Sequence, residues 1–310
     1  MSNSSELDRD VDDAMRLFER SRVGNTEALT PIRPSRVLLV LDGSDQDETS
    51  TRSAEVLRER FDTETLVIDA RQDAQGDLAV EQAKRVNGAR PLARRSGDSF
   101  DVILDTIHDH QIDLLVVPSP FGRSFEKVGT DSVGTVMDVL LARCPVPILV
   151  TRRSDQTLAV CCQRISLLVG GECDVEARAA AWTFGLAADA AEISLNLVVE
   201  REHFENVRSI LESLRPEETF DTQTLSNALA KTHQSLHAAM TKTATAQGCR
   251  YHLMPQAGEV APPNPLSDPQ QQMLVLPLEV DDRFGQGFVS DRLRRSPHPV
   301  LIVPGHVPAS

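Results

Sequence analysis

Two groups of residues carry the chemistry open to this sequence. Asp42 ends the apolar run Arg36 to Asp42 (RVLLVLD) and is followed by Gly43-Ser44. A second apolar run, Leu114 to Val117, leads into Ser119, Gly122, Arg123, Lys127, Gly129, Gly134 and Thr135. Phosphate oxygens must come within hydrogen-bonding distance of backbone N–H groups, and a Cβ at a tight position blocks that approach, so glycines in such a loop suit an anion. Thr135 opens the amphipathic segment Thr135 to Arg143, where a helix N-terminus favours negative charge and the hydroxyl can donate. Arg123 and Lys127 add positive charge beside it. A carboxylate at the carboxyl end of a strand lies where open α/β sheets place ligands, and Asp42 can accept from an adenine or ribose donor. The same residues also read as turn glycines and a loop-capping aspartate in a scaffold without a ligand.

The elements that must position these residues alternate. Arg36 to Asp42 is continuously apolar, as expected for a central parallel strand buried on both faces. Helical spacing follows over Glu48 to Phe61, with Ala54, Val56, Leu57 and Phe61 on the repeat. Thr65 to Ala70 reads as a strand, Leu78 to Val86 as a helix, Ala89 to Ala93 as a weak strand and Phe100 to His110 as a helix. Leu114 to Val117, the Thr135 helix and Pro147 to Val150 complete five strands and four helices, the pattern of an open, mostly parallel α/β sheet.

The pattern then restarts. After a linker at Arg153 to Thr157, RISLLVGGE (Arg164 to Glu172) parallels RVLLVLDGS (Arg36 to Ser44), and MLVLPLE (Met273 to Glu279) parallels LLVVPSP (Leu114 to Pro120). PHPVLIVP (Pro297 to Pro304) parallels PVPILVTR (Pro145 to Arg152), and the three alignments keep their order, which points to an internal duplication. Ala177 to Ala188 reads as an Ala-rich helix, Ile193 to Val199 as a strand, and Leu225 to Gln247 as one long helical segment. Gly258 to Pro269 is Pro-rich and cannot form the third helix of the first copy. In the second copy Gly170 stands where Asp42 stands in the first, and Gln286-Gly287 where Gly134-Thr135 stand. The expected division is a helix and linker over 1–34, a first domain over 35–153 and a degenerate second domain over 163–305.

These residues resemble the universal stress protein family, closely over 35–152 and loosely over 163–304. Members that bind ATP carry an Asp at the end of the first strand and, after the fourth, a loop of Gly, two residues, Gly, nine residues, Gly, then Ser or Thr. Here Asp42 matches, and Ser119, two residues, Gly122, eleven residues, Gly134 and Thr135 follow the fourth strand, so Ser replaces the first Gly and the loop is two residues longer. The resemblance implies two tandem, mostly parallel five-stranded α/β sheets flanked by helices, of the adenine-nucleotide α-hydrolase-like, Rossmann-like kind. It implies ATP in the first domain only, held by Asp42, Ser119, Gly122, Arg123, Gly134 and Thr135, with Mg²⁺ left open. It also implies pairing through the fifth strands, inside one tandem chain or in a homodimer.

Bulk composition narrows the rest. The 310 residues carry a net charge of −14, which disfavours nucleic acid as partner and offers nothing to an anionic membrane. Lysine occurs only at Lys84, Lys127, Lys231 and Lys242, an acidic, lysine-poor balance that suits a salt-adapted cytoplasm as well as an ordinary acidic protein. Five cysteines, odd in number and without a CxxC pair, read as reduced cytosolic thiols. Of the adjacent Cys161 and Cys162, one faces outward or into an interface if both lie in a strand. No apolar stretch approaches the ~20 residues of a membrane span. Ser5 to Arg22 reads as a capped helix, with Asp10, Asp12 and Asp13 on a solvated face. His233 and His237 have the spacing of a metal pair but no third ligand, so they read as surface residues.

No nucleophile–base pair, Walker-type lysine or metal cluster points to turnover. The expected function is a cytoplasmic module that senses or sequesters an adenine nucleotide and acts through a protein partner. The alternative is a ligand-free regulatory scaffold, for instance on the cytoplasmic side of a transporter. An ATP pyrophosphatase of the wider superfamily needs a Ser-Gly-Gly-type loop that Asp42-Gly43-Ser44 does not supply.

Overall fold

The computed structural model describes residues 26–74, 76–123, 133–151, 157–170, 175–199, 222–257, 271–279 and 283–305, with a few helical residues between 205 and 213. The N-terminal helix expected over Ser5 to Arg22, the aspartates at 10, 12 and 13, Lys127, Gly129 and the Pro-rich segment lie outside them.

Ten strands form one sheet in the order β3-β2-β1-β4-β5-β10-β9-β6-β7-β8. The first five are β1 (Arg36–Leu41), β2 (Glu64–Asp69), β3 (Arg90–Pro91), β4 (Leu114–Pro118) and β5 (Ile148–Thr151). The others are β6 (Arg164–Val169), β7 (Glu192–Val199), β8 (Arg250–Ala257), β9 (Met273–Leu278) and β10 (Val300–Pro304). Each half therefore runs in the same order, third-second-first-fourth-fifth, and all neighbours within a half are parallel. The two five-stranded sheets join edge to edge where β5 meets β10 antiparallel, with Leu149 opposite Leu301.

The helices are α1 (Asp47–Phe61), α2 (Asp77–Ala83), α3 (Ser99–His110), α4 (Thr135–Arg143), the single turn α5 (Leu158–Cys161), α6 (Glu176–Leu186), α7 (Thr222–Thr232), α8 (Gln234–Gln247) and α9 (Arg283–Arg295). Side chains alternate along a strand, so β1 sends Val37, Leu39 and Leu41 to one core and Leu38 and Val40 to the other. The first core takes Ala54 and Leu57 of α1, Ala79 of α2, Trp182 and Phe184 of α6, and Met240 of α8. The second takes Ile103 of α3, Leu140 of α4, and Val289 and Leu293 of α9. Both cores run across the β5–β10 seam.

Two segments that precede a central strand cross that seam. Residues before β1 lie on the second half: Ile32 N–H donates to the Ala181 carbonyl at 3.0 Å, Leu29 N–H to Thr243 Oγ1 at 2.8 Å, and Lys242 Nζ to the Thr26 carbonyl at 2.6 Å. In the opposite direction α5, just before β6, packs on α1, and Arg60 of α1 donates to the carbonyls of Leu186 and Ala187.

Three sequence expectations are corrected here. Cys161 and Cys162 are both fully buried; Cys161 ends the turn α5, Cys162 follows it, and neither lies in a strand. Burial pushes the Cys162 thiol up to about 11 and that of Cys144 to about 12, so neither is a ready thiolate. The segment 225–247 is broken at His233 into α7 and α8. His233 is buried and its Nδ1 lies 3.0 Å from Glu176 Oε2, while His237 is half-buried and meets the Tyr251 hydroxyl at 3.0 Å, so they are not two surface residues.

The second half differs where its third helix was expected to fail. Ser166 stands at the β6 position of Leu38, and its hydroxyl meets Ser194 Oγ at 3.0 Å and donates to Gln272 Oε1 at 2.9 Å, while Asn196 Nδ2 donates to Ser194 Oγ. Polar groups that satisfy one another replace the apolar face that α3 covers in the first half.

Candidate functional site

β1 has β2 on one side and β4 on the other, so the chain leaves it in both directions and a crevice opens at the carboxyl ends of β1 and β4. Asp42 follows β1, Ser119 follows β4, and Gly134 precedes α4, so five of the six expected residues converge on this crevice and the sixth, Arg123, closes the turn between them.

The geometry is closed. Asp42 is 3% exposed. Its Oδ1 accepts from Ser44 N–H at 2.8 Å and its Oδ2 from Gly122 N–H at 2.5 Å, so both oxygens are engaged by the chain's own backbone. Ser119 is fully buried, with its hydroxyl turned inward to the Val133 carbonyl at 3.2 Å. Residues 120–123 form a turn closed by Arg123 N–H to the Pro120 carbonyl at 3.2 Å. Gly122 and Gly134 hold φ of +69° and +87°, which a side chain rarely adopts. A Cβ on Gly134 would lie 3.5 Å from the Phe121 amide nitrogen, so the start of α4 abuts the turn. Thr135 and Arg123 are exposed.

Three residues at the crevice escaped sequence reasoning. Gln46, just before α1, donates from Nε2 to the Arg123 carbonyl at 2.9 Å and to the Pro120 carbonyl at 3.4 Å. Arg71 forms a fork on Asp69, at 2.9 and 2.6 Å, and lies over Gly43, where an added Cβ would come within 2.8 Å of its Cδ. Asp47 accepts from the amides of Asp42 at 3.0 Å and Gly43 at 2.8 Å. The helix was read only from Glu48 on, and the one sequence signal for Gln46 and Asp47 is that they follow Asp42 by four and five residues.

Burial, followed by the neighbouring Asp42 carboxylate, pushes Asp47 up to about 7. The folded chain therefore holds this proton more tightly than the unfolded chain. Stability from this group is fully present below the ordinary carboxylate range near 4 and is lost as pH rises through about 7. Urea unfolding of wild type and Asp47→Asn between pH 4 and 8 is expected to show wild type losing on the order of a few kcal/mol relative to the variant across that window. Parallel curves for the two proteins would refute the assignment.

Among the described residues the second half shows no equivalent mouth. The ring of Phe288 from α9 would stand 3.4 Å from a Cβ on Gly170, filling the place that corresponds to Asp42, and Arg292 stacks over that ring at 4.8 Å from its centroid. Gln286 and Gly287 lie inside α9, past its first turn, so they do not present a helix N-terminus. Among the described residues no group of three or more His, Cys, Asp or Glu could hold a metal ion, and no helix is long and apolar enough to cross a membrane.

The order third-second-first-fourth-fifth, with helices on both faces and a fifth-strand seam, is the universal stress protein fold. A universal stress protein from Archaeoglobus fulgidus DSM 4304 superposes with a TM-score of 0.59 at 13% identity, covering 87% of this chain and 96% of that one. The protein PA1789 from Pseudomonas aeruginosa PAO1 gives 0.56 at 13%, covering 88% and 93%. Identities this low establish the fold alone. The cytoplasmic domain of a prokaryotic cation chloride cotransporter reaches only 0.39 at 8%, covering 87% and 95%, too low to carry an argument. No protein-family model and no curated protein matches the sequence.

Proposed function

We propose that this chain is a cytoplasmic regulatory module of universal stress protein type, acting through protein contacts, whose first half takes an adenine nucleotide at the crevice between β1 and β4. The observation that carries the reading is the convergence of Asp42, Gly122 and Gly134 at the point where the strand order reverses. The phosphate end fits: Gly134 holds a φ of +87° that a side chain rarely adopts, and the exposed Thr135 and Arg123 offer a hydroxyl and a cation at the start of α4. The base end fits only after rearrangement, since Asp42 is buried and the turn whose Gly122 N–H it holds must move before a ligand reaches it. Asp69 is paired with Arg71, but Asp42 and, above about pH 7, Asp47 add negative charge beside the mouth, so a polyphosphate is expected to bind better with Mg²⁺ than without.

A second reading is favoured by one observation, the burial of the Asp42 carboxylate with each oxygen already accepting from the chain's own backbone. In it the module is a ligand-free scaffold that keeps the fold and has closed the site.

The two separate cleanly. The chain is purified in high salt and denatured, the supernatant is assayed for adenine nucleotide, and ATP is titrated with and without Mg²⁺ by thermal shift. Binding at a hundredfold excess over Kd adds about 2.7 kcal/mol of stability. Gly134→Val is expected to abolish that gain, because its side chain would occupy the phosphate position. No carried-over nucleotide and no shift at millimolar ATP would sink the nucleotide reading and leave the scaffold. A full shift in Gly134→Val would mean that the ligand sits elsewhere.

A further inference from the structure

We propose that Gln46 is a latch on the first-half crevice: its side-chain amide holds residues 120–123 down and sets how often Asp42 is open to a ligand. This rests on the reading of the crevice as a ligand site and adds how access to it is controlled.

Gln46 is 3% exposed, and its Nε2 serves two carbonyls, those of Arg123 at 2.9 Å and Pro120 at 3.4 Å. Its Oε1 is buried and has no hydrogen-bond partner among the described residues. A flipped amide would set that oxygen against two carbonyl oxygens, so the orientation is fixed by the turn it holds. An orphaned buried acceptor is disfavoured for the residue itself, which places the value of this side chain in what its donor does. Between the two held carbonyls lies Gly122, whose N–H reaches Asp42 Oδ2 at 2.5 Å. Three bonds thus tie one short turn to the β1–α1 connection. The Gly122 amide is a donor that an anionic ligand needs, and the Asp42 carboxylate is the acceptor that a base or ribose needs. The latch spends each on the other.

Opening is therefore a local equilibrium that Gln46 biases, and a ligand that needs the open turn binds in proportion to the open fraction. Thr49, on the first turn of α1, is equally buried and its hydroxyl has no hydrogen-bond partner among the described residues, the carbonyls of the turn included. It supplies the control.

Hydrogen exchange is measured residue by residue in the full-length wild type, Gln46→Ala and Thr49→Val, at Gly122 and at Val116 in β4. Gln46→Ala is expected to speed exchange at Gly122 roughly tenfold to thirtyfold, the factor for two lost neutral hydrogen bonds, and to leave Val116 unchanged. Thr49→Val should leave both at wild-type rates. With Mg²⁺ present, the apparent Kd for ATP should fall in Gln46→Ala by the same factor. Unchanged exchange at Gly122 overturns the latch, and so does an equal acceleration at Val116, which would report global loosening. Faster exchange confined to the turn, with ATP bound by none of the three proteins, keeps the latch and removes the nucleotide.

Discussion

Leu301→Asp is expected to separate the unfolding of the two halves. Leu301 is fully buried in β10, opposite Leu149 across the antiparallel seam, with apolar layers above and below. Among the described residues the core around it is apolar, and an unpaired buried charge costs several kcal/mol against a total stability of about 5–15 kcal/mol for a typical chain. The loss falls where the halves meet, since both cores continue from one half into the other. In wild type that continuity predicts one cooperative transition. Trp182, the single tryptophan, reports on the second half through its place in α6, whereas far-ultraviolet dichroism reports on both halves. The two signals should coincide in wild type and diverge in Leu301→Asp. Diverging signals in wild type would show that the seam does not couple the halves.

The sequence made the ladder of the sheet legible where strands are buried on both faces. β1, β4, β9 and β10 read as apolar runs and β6 as one broken only by Ser166, and the three internal alignments located β6, β9 and β10 in order. β8 went unread because Arg250, His252 and Met254 face outward between half-buried Tyr251 and Leu253, and Pro255 interrupts the run. Its first-half counterpart, β3, is only Arg90–Pro91, so the duplication offered no template for it. The break at His233 was equally hidden: its partner Glu176 lies 57 residues earlier, and no local pattern announces a pair made by packing.

For the site, residue types were legible and their state was not. A sequence can show that Asp42 and Gly122 stand at the ends of neighbouring strands. It cannot show that the carboxylate accepts from that glycine, because the bond spans 80 positions and depends on how the turn after β4 lies. Ser119 illustrates the same limit. Its place in the motif suggested a contact with ligand, while the structure turns its hydroxyl to Val133, since a side chain that close to the end of β4 falls on the buried side. Gly170 was read as a lost Asp; what replaces the carboxylate, the Phe288 ring, comes from a helix more than a hundred residues away in sequence and could only be seen in three dimensions.

Gly185→Ala should be the costliest small substitution in α6, and its sign decides whether the segment before β1 is fastened to the second half. Alanine inside a helix ordinarily gains about 1 kcal/mol over glycine. Here a Cβ would fall 1.6 Å from the Ile32 carbonyl oxygen and 2.5 Å from its carbon, and both are backbone atoms that no rotamer change can move. The strap must lift. That breaks the Ile32 amide bond to Ala181, loosens the Leu29 amide bond to Thr243, and withdraws Leu29 and Ile32 from the core they pack against. Overpacking of this kind costs about 1–3 kcal/mol, and each lost hydrogen bond about 1 kcal/mol more, so the net is a loss of a few kcal/mol despite the gain in propensity. Thermal unfolding of Gly185→Ala should show the lower midpoint, with hydrogen exchange at Ile32 accelerated ahead of the strands. A variant as stable as wild type, with Ile32 still protected, would mean that the strap is not held at this crossing. Because the strap belongs to the first half and rides on α6, while α5 belongs to the second and rides on α1, the two crossings act with the seam: parting the halves must strip both segments as well as β5 from β10.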